Sequence, residues 1–348
     1  MAKLSAICEI NMGQSPESSS YNEVRNGLPF FQGNADFGEI HPSVRVWCTE
    51  PKKIAKCNDI LISVRAPIGA LNIANIECCI GRGLAALTVN DKICSREFLW
   101  YALESNVDLL VSKGTGSTFK AIGKNVLYDL EIPLPPLETQ KQIAAILDKV
   151  TDLINKRKQQ LEKLDELVKS RFVEMFFEKD YPILKWNDVF NTTTGKLDSN
   201  AMVENGQYPF FTCAKEIFRI DEYAFDQEAL LLAGNNAAGK YDVKYFKGKF
   251  NAYQRTYVLG LKQNWSYQLF RYQLEDKLDY LQQQSLGGLT KYLTLKILGD
   301  LEFIVPPTDL QTQFANFVES VDRSKQHVKE SLEKLETLKK SLMQEYFG

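Results

Sequence analysis

The sequence predicts a duplicated α/β fold, more strictly α+β, in which two mixed heads are each followed by a long helix and the two helices pair as an antiparallel coiled coil. Three features point there: an internal repeat at one offset, heptad-spaced apolar residues behind a Pro-Pro pair in each copy, and short strand-like apolar runs in the heads. The repeat has a pseudo-twofold character, one head and one helix per copy.

The repeat fixes the domain count. Asp129-Leu130-Glu131 recurs as Asp300-Leu301-Glu302, and 300 − 129 = 171. That offset also carries Pro135-Pro136 onto Pro306-Pro307, Gln140 onto Gln311, Val150 onto Val321, Leu161-Glu162-Lys163-Leu164 onto Leu332-Glu333-Lys334-Leu335, and Phe176 onto Phe347. Upstream the match drifts: Leu28-Pro29-Phe30-Phe31 answers Tyr208-Pro209-Phe210-Phe211, where 208 − 28 = 180, and Gly13 answers Gly195. Well-matched tails beside divergent heads read as shared scaffolding under two different recognition surfaces. The boundaries that follow are 1–136 and 180–307 for the heads, and 137–179 and 308–348 for the helices.

Within the heads, residues 59–64 and 228–233 are predicted as buried strands, and 96–103 and 267–274 as short helices. In the first tail, Ile143, Leu147, Val150, Ile154, Leu161, Leu164, Val168 and Met175 are spaced for one helical seam, with Arg157 and Arg171 in the remaining slots. The second tail supplies Phe314, Val318, Val321, Val328, Leu332, Leu335, Leu342 and Tyr346, interrupted by Lys325 and Lys339. Proline cannot continue a helix backward, so each Pro-Pro pair sets a helix start. A helix of about 35 to 40 residues is a rod on the order of 55 Å long. Intramolecular packing accounts for much of such a seam, while the outer faces stay open to helices of another protein.

Composition narrows the function classes. The chain is 44% hydrophobic and 25% charged over 348 residues, the profile of a soluble globular protein with real cores. Apolar runs such as 229–233 fall far short of the roughly 20 residues that span a membrane, and the N-terminus has no signal-peptide pattern, so a cytoplasmic location without a membrane partner is expected. The seven cysteines form no Cys-x-x-Cys pair and read as reduced thiols in the core, with no metal site expected. Two histidines, His41 and His327, leave little material for histidine catalysis. With a net charge of −2, any nucleic-acid surface must be locally basic.

No catalytic motif survives inspection. Residues 234–240, Gly-Asn-Asn-Ala-Ala-Gly-Lys, have phosphate-loop spacing, but Tyr241 stands where a hydroxyl should meet magnesium, and 241–250 alternates like strand-turn-strand instead of a helix. A sharp turn lined with amide side chains fits that segment better. Neither Pro-Pro pair has the polar and aromatic flanks of a base-flipping methyltransferase loop.

Two segments do have nucleic-acid chemistry. Between 240 and 257, Lys240, Lys244, Lys247, Lys249 and Arg255 are interleaved with six aromatics, and a hairpin turning at Lys247-Gly248-Lys249 is expected to gather them. The lysines suit phosphates, while Asn235, Asn236 and Gln254 carry the paired donors and acceptors, and Arg255 the paired donors, that base edges require; Tyr253 lies among them. The second segment is Lys113 to Lys124 with Thr115, Ser117 and Lys120, and its counterpart runs from Ser285 to Lys291 with Lys296 beyond. Arg82 is a further candidate in the first head. A solvated edge hairpin and a plain loop are the alternative readings of the two segments.

The run Ile132-Pro133-Leu134-Pro135-Pro136-Leu137-Glu138-Thr139-Gln140-Lys141-Gln142-Ile143 leading into a long helix, its second copy from Phe303 to Phe314, and the openings Gly13-Gln14-Ser15-Pro16, Leu-Pro-Phe-Phe and Tyr-Pro-Phe-Phe give the whole chain a resemblance to type I restriction-modification specificity subunits. Thr308 and Asp309 depart from the Pro-Leu-Glu pattern at the second helix start. The resemblance implies two target-recognition domains, each reading one half of a split double-stranded DNA site, with the paired helices as a ruler. It implies that the helices, through Gln140, Ile143, Leu147, Ile154, Leu161, Leu164, Gln311, Phe314, Val318, Leu332 and Leu335, dock two modification (methyltransferase) subunits. Restriction subunits would supply translocation and cleavage. S-adenosylmethionine, ATP and Mg would then sit on those partners, with no cofactor and no catalysis on this chain. The competing readings are a stand-alone DNA-modifying enzyme and a coiled-coil adaptor whose heads bind protein.

Overall fold

A computed structural model of the chain describes residues 1–116, 120–177, 180–237 and 239–348. The chain divides into two compact units, Met1–Gln159 with Lys329–Gly348, and Gln160–Val328. Both divisions fall inside the long helices Leu137–Phe176 and Thr308–Phe347, each of 40 residues, so each unit is one head plus half of each helix. Among the described residues no helix is long and apolar enough to cross a membrane.

In the first unit, a four-stranded sheet runs in the order Cys8–Met12, Leu84–Val89, Ile60–Ser63, Leu71–Ile73. A five-stranded sheet contains Leu28–Phe31, which pairs in parallel with Cys78–Ile80 through Phe30 opposite Cys79 and Phe31 opposite Ile80. The helix Arg96–Ser105 covers the four-stranded sheet, burying Phe98, Leu99 and Leu103 against Ile60, Ile62 and Leu87. Its start is capped by Ser95, whose side chain accepts from the Phe98 amide, satisfying a donor that the helix itself leaves unpaired.

The second unit repeats this plan with one change. Phe190–Thr194, Thr256–Leu261, Phe225–Ala233, Val243–Ala252, Tyr208–Phe211 and Phe218–Ile220 form a single six-stranded sheet. Tyr-Pro-Phe-Phe again pairs in parallel, with Phe210 opposite Asn251 and Phe211 opposite Ala252, and Tyr267–Asp276, capped by Ser266, is the covering helix. The predicted hairpin at Lys247-Gly248-Lys249 is absent: these residues lie within the continuous strand Val243–Ala252, opposite Glu228, Gln227 and Asp226. The period-two alternation simply runs on through the glycine, which takes a φ of 127° within the strand. The strands Phe225–Ala233 and Val243–Ala252 pair antiparallel, and the amide-bearing residues Asn235 and Asn236 lie between them in sequence.

The recurrent glutamine of the two tails has a structural explanation. Gln140 Oε1 accepts the Ser95 amide at 3.0 Å, and its Nε2 donates to the Pro135 carbonyl at 2.8 Å and the Ile93 carbonyl at 3.1 Å. Gln311 repeats the arrangement with the Ser266 amide at 2.9 Å and the Pro306 carbonyl at 2.8 Å. Both side chains are buried. A buried polar group left without a partner costs roughly 1–3 kcal/mol, so this one amide locks each long helix to the cap of its head.

Each unit also joins the two long helices. In the second, Val168, Met175 and Phe176 pack with Phe314, Val318 and Val321, and Asp165 pairs with Lys325 at 2.5 Å. In the first, Ile143, Ala144 and Leu147 share a core with Phe347, while Lys158 meets Glu336 at 3.8 Å. In both, lower numbers on one helix meet higher numbers on the other, so the packed segments run in opposite directions. Five of the seven cysteines are buried, and burial pushes the thiols of Cys8, Cys78 and Cys94 up to about 12, which keeps them protonated and unreactive at neutral pH.

Candidate nucleic-acid interface

In the first unit three chain segments meet in a lip. The Val64 amide donates to the Gly83 carbonyl at 2.9 Å, and the Ile122 amide donates to the Val64 carbonyl at 2.9 Å. This joins the Gly81-Arg82-Gly83 turn, the strand exit at Arg65, and the loop that carries Thr115 and Lys120, where Arg65 bridges Ala121 and Ala121 bridges Thr115. A side chain at position 83 would bring its Cβ within 2.5 Å of the Gln32 carbonyl, so glycine is required there for the turn to lie flat. Ser15 Oγ accepts the Arg82 amide at 3.2 Å and is itself bonded to Gln32 at 3.0 Å, which fixes the apex. Arg65, Arg82, Thr115 and Lys120 are all exposed.

The second unit builds the same lip. The Gly234 amide donates to the Arg255 carbonyl at 2.8 Å, and the Leu293 amide donates to the Gly234 carbonyl at 2.8 Å. The amide-lined turn is held to the second candidate loop by a short ladder, Asn235 opposite Tyr292 and Asn236 opposite Lys291. Two segments that are 55 residues apart in sequence (291 − 236 = 55) thus become neighbours. Tyr257 anchors the ladder by donating to the Leu293 carbonyl at 3.0 Å; burial raises its phenol above the usual range and the Arg255 charge partly reverses that. Gln254, Arg255 and Lys240 are exposed. Among the described residues none of Arg65, Arg82, Lys120, Lys240, Arg255, Lys291 or Lys296 is in an ion pair with a carboxylate.

The structure therefore gathers Arg82, Thr115 and Lys120 in one unit and Asn235, Asn236, Gln254, Arg255 and Lys291 in the other. Tyr253 is half-buried beside them, its amide donating to the Phe211 carbonyl at 2.9 Å. Lys124 and Lys296 are exposed on the short helices Lys124–Tyr128 and Leu295–Gly299 that follow the loops, and the Lys124 ammonium stands 4.6 Å from the centre of the Tyr128 ring. Ser117 lies outside the described residues. Lys247 and Lys249 do not join the ladder: Lys247 pairs with Glu228 at 3.1 Å, and Lys249 sits 4.6 Å from the Tyr223 ring centre. Expecting a turn there placed them wrongly. Arg65 was missed because its partner position, Asn235, is offset by 170 instead of 171 and has different chemistry (235 − 65 = 170). Among the described residues no group of three or more His, Cys, Asp or Glu could hold a metal ion.

Most of the helix residues expected to dock a partner face inward. Gln140, Ile143, Leu147, Ile154, Gln311, Phe314 and Val318 are buried, and Leu161, Leu164, Leu332 and Leu335 are half-buried. The apolar periodicity read from sequence is the seam that holds the chain to itself. By contrast, Ile146 and Leu153, seven residues apart in the first unit's part of the first long helix, are 42% and 44% exposed, and Leu167 in the second unit's part is 47% exposed.

Two α+β heads of one plan, each with the same three-segment lip and a helix locked on by a buried glutamine, define a tandem duplication. The family model for the type I restriction modification DNA specificity domain matches residues 1–163 and again 178–337, and the chain belongs to that family. Among curated relatives, a putative type I restriction enzyme MjaX specificity subunit of Methanocaldococcus jannaschii is 48% identical over 158 residues, covering 44% of this chain and 37% of the relative. The type I restriction enzyme EcoDI specificity subunit of Escherichia coli is 33% identical over 168 residues, covering 47% and 36%. The match thus spans little more than a third of the length of either relative. The crystal structure of the type I restriction-modification system S subunit from M. genitalium has the same fold, with a TM-score of 0.65 at 17% identity, covering 100% of this chain and 95% of that one.

Proposed function

We propose that this chain is the DNA sequence-specificity subunit of a type I restriction-modification system and that it performs no bond chemistry itself. Residues 1–136 and 180–307 act as target-recognition domains, each reading one half of a bipartite double-stranded DNA site. The lip repeated in both units is the observation that carries this reading: cations without carboxylate partners among the described residues stand on hydrogen-bonded turns beside polar side chains, arginines in the first unit and amides in the second. Lys120, Lys240, Lys291 and Lys296 meet phosphates and set register, while the residues on the turns meet base edges.

The long helices Leu137–Phe176 and Thr308–Phe347 pair as an antiparallel coiled coil and set the distance between half-sites. A helix of 40 residues is about 60 Å long, enough to make spacing a property of the protein. Two modification subunits dock on the outer faces, exposed Ile146 and Leu153 in the first unit and Leu167 in the second being apolar residues there, and restriction subunits join through that assembly. S-adenosylmethionine, ATP and Mg belong to those partners.

Genome-wide methylation mapping of the host with and without this gene tests the reading. A bipartite methylated motif should vanish completely with the gene and return with it. A methylome unchanged by the deletion would refute the assignment.

A further inference from the structure

The two lips differ at two equivalent positions, and the difference has a chemical direction. The hydrogen bonds that join Gly83, Val64 and Ile122 in the first unit join Arg255, Gly234 and Leu293 in the second. The parallel pairing of Phe31 with Ile80 matches that of Phe211 with Ala252, so the turns 81–83 and 253–255 also correspond. It follows that Arg82 occupies the position of Gln254 at the apex, and Arg65, bridged to Ala121, occupies that of Asn235, paired with Tyr292. One lip presents two arginines where the other presents two amides.

An arginine fork pairs with the O6 and N7 acceptors of guanine, whereas an asparagine or glutamine amide pairs with the N6 donor and N7 acceptor of adenine. The backbone of Arg82 is pinned through Ser15 and Gln32, and that of Gln254 donates to the Leu197 carbonyl at 2.9 Å. Both side chains thus leave a fixed turn into solvent, and a fixed origin lets a side chain discriminate instead of adapting to either base. Resting on the reading of these lips as DNA-binding, we propose that the first unit reads guanine through Arg82 and Arg65, and that the second reads adenine through Gln254 and Asn235. Arg255, whose counterpart is Gly83, adds a phosphate-binding cation to the second lip.

The test is selection from a randomised duplex library by the full chain co-purified with the modification subunits of its own system. Wild type, Arg82→Gln, Gln254→Arg and Arg82→Lys are compared. Wild type should enrich a split motif with G·C pairs in one half and A·T pairs in the other. Arg82→Gln should change one guanine to adenine in the first half alone, and Gln254→Arg should do the reverse in the second. Arg82→Lys retains the charge but loses the fork, so preference at that base should fall by roughly five- to a hundredfold while overall affinity changes little. A split motif whose bases ignore all three substitutions would overturn this assignment and leave the specificity reading standing. Failure of the wild-type complex to enrich any split motif would sink both.

Discussion

Replacing Lys120, Lys240, Lys291 and Lys296 together by alanine is expected to weaken DNA binding by about 10²–10³-fold near physiological salt and by a similar factor for every sequence. These side chains are exposed or half-exposed, none is in an ion pair with a carboxylate among the described residues, and the chain as a whole is slightly acidic at −2. Their effect is therefore local, reaching no further than about 8 Å at physiological ionic strength. A lysine that neutralises a phosphate releases counterions, so each lost contact lowers the slope of log affinity against log salt by roughly 0.9, or about 3.6 for all four. Equilibrium binding measured across a salt series separates this from misfolding, which would abolish binding without giving a shallower slope. An unchanged slope would remove the phosphate-contact role.

Phe314→Ala is expected to cost the second unit about 3–5 kcal/mol, near the top of what one core truncation does. The Phe314 ring is fully buried, with centroids 5.7, 5.6 and 5.5 Å from those of Phe172, Phe176 and Tyr272. It lies one turn beyond Gln311, so the cavity would open beside the amide that locks the helix to the head. Denaturant unfolding of the second unit's transition measures the loss. A value below about 1 kcal/mol would mean that the helix is held by something other than this cluster.

Much of the fold is legible in the sequence. The repeat, the strand cores near 59–64 and 228–233, the covering helices after Ser95 and Ser266, and the helix starts behind Pro136 and Pro307 all follow from local pattern and are present. The expectation that no helix follows the glycine-rich segment is met, since the strand Val243–Ala252 comes next. What sequence could not supply was depth and adjacency. Gln140 and Gln311 repeat at the expected offset, yet periodicity cannot tell a partner-facing amide from one bonded to a proline carbonyl within its own chain. Lys247 and Lys249 looked like hairpin-tip lysines because Lys-Gly-Lys resembles a turn, whereas the ladder with 225–232 overrides that local preference. Arg65 emerges only when the hydrogen bonds around Val64 and Gly234 are aligned.

The measurement that bears most directly on the ruler is motif spacing after a matched heptad is deleted from the middle of both long helices. Seven residues at 1.5 Å remove about 10 Å, which at 3.4 Å per base pair is about 3 base pairs. Methylation mapping of cells carrying the shortened chain should return the same two half-sites about 3 base pairs closer together. The same half-sites at their original separation would contradict the account.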